Sequence, residues 1–511
     1  MIKKIFGGAG TGKTTWMLNQ LEQELKEIPI ERIAFVTHTV AAKVEAKERV
    51  IKQLGTVTDK QLLFFKTIHG ICYNQLSLRK ENVMQPKDYV EFGDDIGIQF
   101  STNFTSDTDI DGLPVGYNLS QGNEILAVRQ YAAANMKLVS EIPGEWPRWV
   151  SHKIMRRIII GFKNFKQQHA KFDFVDMLEM YLESGEPLPI DVLFIDEAQD
   201  LSKLQWEVVH KFMEKAQRVY IAGDDDQSIY PFIGADPYGF LQHPYDEAEI
   251  LPITYRLHSN IWAFALSIIS MVSRRQEKEI TPRSTEGEIE YWNIDPLYLD
   301  IEHPGTTMII ARHNNQLNEI SKDLKKRGVS FTHRGKSITE TKHSQAVHSY
   351  FIMRQGKNIG LRKAANLLDI IGNKTGAKSL RDRARENPGM LINGVDLQEQ
   401  FEFDWNLPWV TYIGNSTYDL QRNEIIRNIL NNSGIDALAN SPRIDLTTYH
   451  GSKGREADHV ILFTDCYNKA WKSSQINPDG ERRLSYVGVT RAREKLTIVL
   501  PQTDMYMRSL R

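Results

Sequence analysis

The chain has 511 residues, which is too long for one hydrophobic core, so at least two domains are expected. Its formal net charge is −2 and its charged fraction is 25%, so bulk charge does not indicate a nucleic-acid-binding protein. Two cysteines exclude a disulfide framework, no apolar run is long enough to span a membrane, and no targeting peptide precedes the first motif. These features predict a soluble cytoplasmic protein.

The first motif is a strand, a glycine-rich turn and a helix start in KKIFGGAGTGKTTWML. It fits the phosphate-loop pattern G-x-x-x-x-G-K-[ST], whose backbone N–H groups and helix N-terminus surround phosphate oxygens. Lys13 is expected to reach the β- and γ-phosphates, and Thr14 is expected to hold Mg²⁺. The residues predicted to bind the nucleotide here are Gly7, Gly8, Ala9, Gly10, Thr11, Gly12, Lys13, Thr14 and Thr15. A P-loop kinase is an alternative at this point.

A pair of acidic residues follows a buried strand in IDVLFIDEAQD. Acidic side chains at the carboxyl end of a parallel strand lie where an α/β sheet binds its ligand. Asp196 is therefore predicted to hold the magnesium ion, and Glu197 to orient and deprotonate a water molecule. A kinase would not need the second carboxylate. The pair could also be a simple N-terminal cap of the following helix.

The segment GDDDQSIYPFIGA combines three carboxylates, a glutamine and two aromatic rings. It follows another apolar strand, so its aspartates are expected at the nucleotide edge of the same sheet. Tyr230 and Phe232 lie a few residues further on, where they could stack on nucleic-acid bases. A solvated turn followed by core aromatics is the alternative interpretation.

Nine segments stand in the order found in UvrD-like superfamily 1 helicases, and the chain resembles that family over most of its length. They are GGAGTGKTT, IAFVTHTVAAK, FKTIHGICYNQL, KFDFVDML, VLFIDEAQD, GDDDQSIYPFIGA, LPITYRLHSNI, LTTYHGSKGREADHVIL and ERRLSYVGVTRAREKL. The resemblance implies an α/β fold with two RecA-like parallel-sheet P-loop NTPase cores, each interrupted by a mainly helical insertion. It also implies ATP with Mg²⁺ in the cleft between the cores and single-stranded DNA across the top.

The resemblance also implies roles for residues of the later motifs. Gln227 and Arg256 would contact the γ-phosphate, and Arg491 would be a second γ-phosphate arginine supplied by the other core. Tyr255 would pack near the adenine, and Glu456 would bond the ribose. Without the resemblance, Arg491 would be taken for a solvated helix residue and Gln227 for a turn residue.

Several residues are implied to touch DNA, although the motifs around them depart from the usual pattern. Phe232 stands where relatives have tryptophan and can still stack, whereas Ile233 replaces an arginine and cannot supply its charge. His38 replaces a phenylalanine, which predicts a weaker or more polar base pocket. The implied DNA-binding residues are Thr37, His38, Thr67, His69, Tyr230, Phe232 and His450.

The domain organisation is predicted from the positions of the motifs. The first core is expected at 1–78 and 171–250 around an insertion at 79–170, and the second at 251–342 and 441–511 around an insertion at 343–440. The first insertion contains a polar, turn-rich loop, STNFTSDTDIDGLPVGYNLSQG, and the basic segment KIMRRIIIGFKNFKQQHAK.

The second insertion carries a local excess of positive charge. From Arg354 to Arg385 it has nine Lys or Arg residues and two Asp residues. Its turn IIGNKTGAKSL weakly resembles the hairpin loops with which relatives contact duplex backbone, and such contacts need positive charge. The basic segment of the first insertion is a second candidate for DNA contact, and a solvated helical surface is the alternative for both basic segments.

The predicted function is an ATP-dependent single-stranded DNA translocase and helicase that moves 3′ to 5′. Its expected partners are single-stranded DNA, the junction with duplex DNA, and proteins of replication or repair; no membrane is involved, and a monomer is compatible with the sequence. Alternatives are a nucleic-acid-binding accessory protein with weak catalysis and a P-loop kinase. Only MIKKIF precedes Gly7, so the adenine-reading glutamine of relatives is absent and relaxed nucleotide selectivity is expected.

Overall fold

A computed structural model describes residues 1–37, 46–48, 50–52, 55, 57–58, 60–100, 120–147, 149–293, 301, 303–401, 405–413 and 417–511. His38 and the polar loop at 101–119 therefore lie outside the described residues. The chain forms two compact units. Unit 1 contains Met1–Ile289, Tyr467–Glu494 and Met507–Arg511, and unit 2 contains Glu290–Cys466 and Lys495–Tyr506.

The strands and helices alternate along much of the chain. The strands are β1 (Ile2–Phe6), β2 (Ile33–Val36), β3 (Phe65–Lys66), β4 (Val192–Ile195), β5 (Arg218–Gly223), β6 (Glu247–Ile250), β7 (Ile253–His258), β8 (Thr281–Arg283), β9 (Glu288–Trp292), β10 (Thr307–Ala311), β11 (Phe331–His333), β12 (Lys336–Ser337), β13 (Ile359–Gly360), β14 (Leu391–Ile392), β15 (Ile444–Thr448), β16 (Ala457–Phe463) and β17 (Ala492–Val499). The helices are α1 (Lys13–Glu24), α2 (Ile68–Gln75), α3 (Pro86–Ile96), α4 (Gln121–Ala134), α5 (His152–Gln168), α6 (Phe174–Ser184), α7 (Lys203–Met213), α8 (Pro237–Gln242), α9 (Ser259–Ile269), α10 (Asn314–Lys326), α11 (Lys342–Arg354), α12 (Leu361–Ile370), α13 (Lys374–Glu386), α14 (Gly394–Phe401), α15 (Trp409–Tyr412), α16 (Thr417–Ser433), α17 (Asn468–Ile476) and α18 (Pro478–Val489).

The sheet of unit 1 carries the sequence motifs at the carboxyl ends of its strands. Among the described residues its strand order is β3-β2-β4-β5-β1-β6, and every pairing in it is parallel. The central strands β2 and β4 are buried along their whole length, as expected for parallel strands covered on both faces. Because β1, β4 and β5 are neighbours, the loops that follow them lie side by side.

The helical insertion of unit 1 has a hydrophobic cluster of its own. Helix α5 buries Met155, Ile158, Phe162 and Phe165 at helical spacing and leaves its basic face exposed. These side chains pack with residues of α3 and α4, such as Phe92. The insertion is thus a small helical layer with a separate core.

Unit 2 is built in the same way, from a sheet and a helical cluster. Its sheet has the order β12-β11-β15-β10-β16-β17-β9 among the described residues, and β10, β11, β15 and β16 pair in parallel. Helices α11, α12, α13 and α16 bury a separate apolar cluster.

The predicted fold class is confirmed: the six-stranded and the seven-stranded sheets have parallel cores, and helical insertions interrupt both halves of the chain. The predicted domain boundaries stay a prediction. In the structure, residues 251–289 and 467–494 belong to unit 1 together with the phosphate loop. In the described part of the chain, no helix is both long and apolar enough to cross a membrane.

Candidate functional site

The glycine-rich loop connects β1 to α1 and has the backbone of a phosphate-binding loop. Gly10 and Gly12 have φ angles of 71° and 81°, a left-handed conformation that favours glycine. The Lys13 ammonium donates to the carbonyls of Gly7 at 2.9 Å and Gly8 at 3.2 Å, so its side chain lies along the loop. Lys13 is buried, and its positive charge is therefore held inside the curve of the loop.

The predicted magnesium residues are in direct contact. The Thr14 hydroxyl donates to the Asp196 carboxylate at 3.0 Å, across the ends of β1 and β4. Burial and the neighbouring Glu197 carboxylate raise the pKa of Asp196 to about 7. A hydroxyl and a carboxylate are the oxygen donors that Mg²⁺ prefers, and a divalent cation would stabilise the ionised form of this buried acid. The donor set therefore fits Mg²⁺.

Glu197 and Gln199 form a polar link between neighbouring strand ends. Glu197 has a left-handed φ of 57°, which turns the chain sharply after Asp196. The Gln199 amide donates to the Glu197 carboxylate at 2.6 Å, and its oxygen accepts from the Asp224 N–H at 2.9 Å. The fully buried Gln199 thus holds Glu197 beside the loop that follows β5. Gln199 was not among the site residues predicted from the sequence.

The segment Thr254–Arg256 is attached to the phosphate loop. The Thr254 hydroxyl donates to the Ala9 carbonyl at 2.8 Å, and the Tyr255 N–H donates to the Gly10 carbonyl at 3.0 Å. A Cβ atom at Gly10 would lie 2.5 Å from the Arg256 Cβ, so only glycine permits this approach. The loop and this segment therefore place Arg256 and the 71%-exposed ring of Tyr255 at the predicted nucleotide site.

Gln227, Arg256 and Arg491 are joined through the end of α18. Arg491 Nη2 donates to Gln227 Oε1 at 3.1 Å, and Arg491 Nε donates to the Val487 carbonyl at 2.9 Å. Arg256 Nη1 donates to the Thr490 carbonyl at 3.2 Å. Arg491 is fully buried and belongs to unit 1, so all three predicted γ-phosphate residues lie in the unit that contains the loop.

The three aspartates after β5 form a buried ion cluster rather than a solvated turn. Lys278 Nζ lies 3.2 Å from Asp224, 2.7 Å from Asp225 and 2.9 Å from Asp226. Arg275 makes two hydrogen bonds to the Asp226 carboxylate, at 2.8 Å and 2.6 Å. Although burial opposes ionisation, Lys278 and Lys13 hold the pKa of Asp224 below its usual value. These carboxylates were predicted at the nucleotide edge of the sheet, but their cationic partners were not predicted from the sequence.

The two aromatic rings of the same segment lie towards the surface. Phe232 is 44% exposed and Tyr230 is half-buried. Their ring centroids are 6.1 Å apart in an edge-to-face arrangement. The segment therefore runs from buried charges to an exposed aromatic pair within ten residues.

The other residues predicted to contact DNA are less exposed where the structure describes them. Thr37 is buried, and Thr67 caps α2 by accepting a hydrogen bond from the Gly70 N–H at 3.2 Å. His69 is buried, with its ring 5.4 Å from that of Phe174 in an edge-to-face contact. These contacts show local structural roles for Thr67 and His69. Their predicted DNA contacts, like that of His38, stay predictions.

His450 and Glu456 lie in unit 2, in the turn between β15 and β16. The turn is held by Arg455, whose guanidinium donates to the Gly451 carbonyl and pairs with Asp445 at 2.7 Å. Both predicted residues are half-buried. Their predicted contacts with DNA and ribose stay predictions.

Family comparisons match two parts of the chain. The UvrD/REP helicase N-terminal domain matches residues 3–247, and the UvrD-like helicase C-terminal domain matches residues 407–503. The two matches carry the N-terminal and C-terminal motifs, respectively.

Individual relatives are more distant. The chain is 25% identical over 311 residues to the ATP-dependent DNA helicase PcrA of Staphylococcus aureus, which covers 56% of this chain and 40% of that protein. It is 26% identical over 313 residues to PcrA of Staphylococcus epidermidis, covering 56% of this chain and 41% of that protein. The matched region thus spans about two-fifths of the length of these curated relatives.

A solved structure described as a complex of Arterivirus nonstructural protein 10 (helicase) with DNA aligns over 98% of this chain and 62% of that chain. Its sequence identity is 10% and its TM-score is 0.34, a similarity too low to support an inference about fold or ligand.

Proposed function

The chain belongs to the UvrD-like superfamily 1 helicases, and from that premise we propose that it is an ATP-dependent single-stranded DNA translocase and helicase. The observation that carries the proposal is the hydrogen bond between Arg491 and Gln227, which joins motifs 264 residues apart. A binding module without hydrolysis has no need for a buried arginine held against a glutamine beside a phosphate loop.

The proposed hydrolysis uses groups that surround the loop. Lys13, Arg256 and Arg491 would counter the charge that develops on the γ-phosphoryl group. Arginines in such positions contribute about 10³–10⁵ in rate in related NTPases. Glu197, held by Gln199, would orient the attacking water and accept its proton.

Thr14 and Asp196 would hold Mg²⁺, which when bound supplies a positive charge beside the phosphate oxygens. The Thr14 hydroxyl is positioned by its bond to Asp196, so the two donors converge on one place. Tyr255 would pack against the base of the nucleotide, because its ring is exposed beside Gly12 of the loop.

The proposed contact with single-stranded DNA lies at Tyr230 and Phe232. Exposed aromatic rings stack on bases of any sequence, with about 1–3 kcal/mol per base. Gln227 lies three residues before Tyr230 in the same segment, so a change at the nucleotide would be transmitted over three residues to the ring of Tyr230. This short connection is the proposed coupling between hydrolysis and movement along DNA.

A second proposed contact, with duplex DNA at the junction, lies on α12 and α13. The turn between them contains Gly372 with a φ of 92°, and Asn373 caps α13 by accepting from the Gly376 N–H at 2.8 Å. Lys374 and Lys378 are exposed on the first turns of α13. Positive side chains at a helix N-terminus suit phosphate oxygens, which supports backbone rather than sequence-specific contact.

We further propose movement in the 3′ to 5′ direction, because GDDDQSIY and YHGSKGRE resemble the branch of the family that moves this way. A tailed-duplex assay tests it: a 3′ tail should support unwinding and a 5′ tail should not. The reverse preference would contradict the direction and leave the helicase activity intact.

One assay tests the activity itself. Phosphate release from ATP should be slow without DNA and strongly stimulated by single-stranded DNA. Hydrolysis at the same rate with and without DNA would contradict the proposal. Transfer of phosphate to another substrate without phosphate release would also contradict it. DNA binding with no hydrolysis at all would indicate an accessory binding protein.

A further inference from the structure

Lys278 is a buried cation that the proposed chemistry leaves without a role. It belongs to a stretch of mixed charge, SRRQEKEI, outside the motifs that carry the family resemblance. Its side chain is 1% exposed, and its ammonium group lies within 3.2 Å of each of the three consecutive carboxylates of Asp224, Asp225 and Asp226. Burying charged groups costs free energy that their pairing often does not recover, so the arrangement calls for a reason.

The contacts around Asp224 supply that reason. Asp224 uses one carboxylate oxygen to face Lys278 at 3.2 Å and the other to accept from the Gln227 amide nitrogen at 2.6 Å. A carboxylate accepts hydrogen bonds and cannot donate them while it is ionised. Lys278 therefore keeps Asp224 in the form that can accept only the NH₂ end of the Gln227 amide.

The orientation of that amide decides what Gln227 presents to its other neighbour. With its nitrogen bound to Asp224, its oxygen points at Arg491, which donates to it at 3.1 Å. A neutral Asp224 could donate to the amide oxygen, and the amide could then turn its nitrogen towards the arginine, where donor would face donor. Lys278, Asp224, Gln227 and Arg491 thus form a series of contacts in which each residue fixes the state or orientation of the next.

The same cluster also holds the two segments that carry these residues. The Gln276 N–H donates to Asp225 at 2.9 Å, and Arg483 on α18 donates to the Asp225 carbonyl at 3.0 Å. Helix α18 ends at Val489, two residues before Arg491. Lys278 is therefore placed to influence Gln227 without itself contacting the phosphate loop in any hydrogen bond described for it.

We propose that Lys278 is a positioning residue for nucleotide hydrolysis, which sets the orientation of the Gln227 amide towards Arg491 by acting through Asp224. This inference rests on the proposed function, since it assumes that Gln227 and Arg491 act on the γ-phosphate. It predicts that Lys278 affects the rate of hydrolysis more than the affinity for ATP.

The test is a double-mutant cycle between Lys278→Met and Gln227→Ala, with DNA-stimulated ATP hydrolysis as the measurement. Lys278→Met should lower kcat by about 10- to 100-fold, by analogy with the loss of residues that orient metal-ligating side chains, with KM for ATP within about threefold. In the Gln227→Ala background the same change should lower kcat by no more than about twofold, because the residue through which it acts is gone. Lys278→Arg, which keeps the charge, should recover part of the rate.

A matched control separates positioning from stability. Lys166 is also a buried lysine paired with two aspartates, Asp173 at 2.8 Å and Asp176 at 2.6 Å, but it lies in the helical insertion. Lys166→Met should lower thermal stability as much as Lys278→Met and leave kcat of the folded protein within about twofold of wild type. If Lys278→Met does not fold, Asp224→Asn breaks the same link and takes its place in the same cycle.

The outcomes are distinct. Additive losses in the cycle, or an equal loss of kcat in Lys166→Met, would overturn the positioning role and leave the helicase proposal standing. If wild type does not hydrolyse ATP, or Gln227→Ala has no effect, the proposed function fails instead and the inference fails with it.

Discussion

The two ends of the segment from Gly223 to Ala235 have opposite surface chemistry. Asp224, Asp225 and Asp226 are 0%, 0% and 1% exposed, whereas Phe232 is 44% exposed. In most proteins the charges would face solvent and the ring would be buried. The inversion shows that the segment is shaped by its contacts: cations inside the protein at one end, and in our proposal a DNA strand at the other.

The burial of these aspartates also shows that a run of charged residues can be a misleading guide to exposure. Three successive aspartates suggest a solvated turn, but here Lys278 and Arg275 place two positive charges against the three buried carboxylates. Because they are paired in this way, the aspartates repel a phosphate or a DNA strand much less than free carboxylates would. Their buried ion pairs fix the backbone that precedes Gln227 and Tyr230.

The largest expected effect comes from removing the nucleotide chemistry and leaving both ends of this segment intact. Lys13→Ala should lower kcat for ATP hydrolysis by about 10²–10³, as for loss of a single group that stabilises transition-state charge. Binding of single-stranded DNA, measured by fluorescence anisotropy, should stay within about twofold of wild type. Lys26→Ala, an exposed lysine beyond α1, is the control. Loss of DNA binding in Lys13→Ala would show that nucleotide chemistry and DNA binding cannot be separated by this substitution.

The next effect concerns the charged end. Asp226→Ala leaves the guanidinium of Arg275, which is 10% exposed, without its two hydrogen bonds. Removing one partner of a buried ion pair costs about 3–5 kcal/mol of unfolding free energy. Chemical denaturation should show this loss, while Glu319→Ala, which removes an exposed pair with Lys322, should cost below about 1 kcal/mol. Equal losses in the two variants would mean that the aspartates behave as surface charges.

A smaller effect is expected at the aromatic end. Replacing both Tyr230 and Phe232 with alanine should weaken single-stranded DNA binding by about 1–3 kcal/mol per base that loses its stacking partner. The melting temperature should change little, because Phe232 is exposed and Tyr230 is half-buried. Tyr291→Ala, an exposed ring in unit 2, is the matched control. Unchanged affinity of the double variant for single-stranded DNA would show that Tyr230 and Phe232 do not contact the strand.

The smallest effect concerns the proposed duplex contact on α13, which belongs to unit 2. Replacing Lys374 and Lys378 with alanine should reduce the salt dependence of duplex binding by about one in the logarithmic slope for each phosphate that is no longer neutralised. Single-stranded binding should not change, and Lys326→Ala on α10 should leave both slopes as in wild type. If the salt dependence of duplex binding is unchanged in the double variant, these lysines of α13 are solvated surface residues that do not contact DNA.

Much of the fold and part of the candidate site could be predicted from local sequence. The phosphate loop, the acids after β4 and the parallel sheet depend on residues that are adjacent in the chain, so their spacing carries the information. The partners of the aspartates could not be found in this way, because Lys278 is 52 residues from Asp226 and nothing local marks it as buried. The capping role of Thr67 and the burial of His69 against Phe174 likewise depend on contacts that only the fold brings together.

The central claim is that one segment couples ATP hydrolysis to movement on DNA, and the most direct test is the number of base pairs unwound per ATP hydrolysed on a 3′-tailed duplex. In the variant with alanine at Tyr230 and Phe232, ATP turnover at saturating DNA should persist within about threefold, because the Lys278–Asp224–Gln227 contacts remain. Unwinding per ATP should fall to near zero, because no ring grips the strand. Wild-type unwinding per ATP in this variant would contradict the coupling.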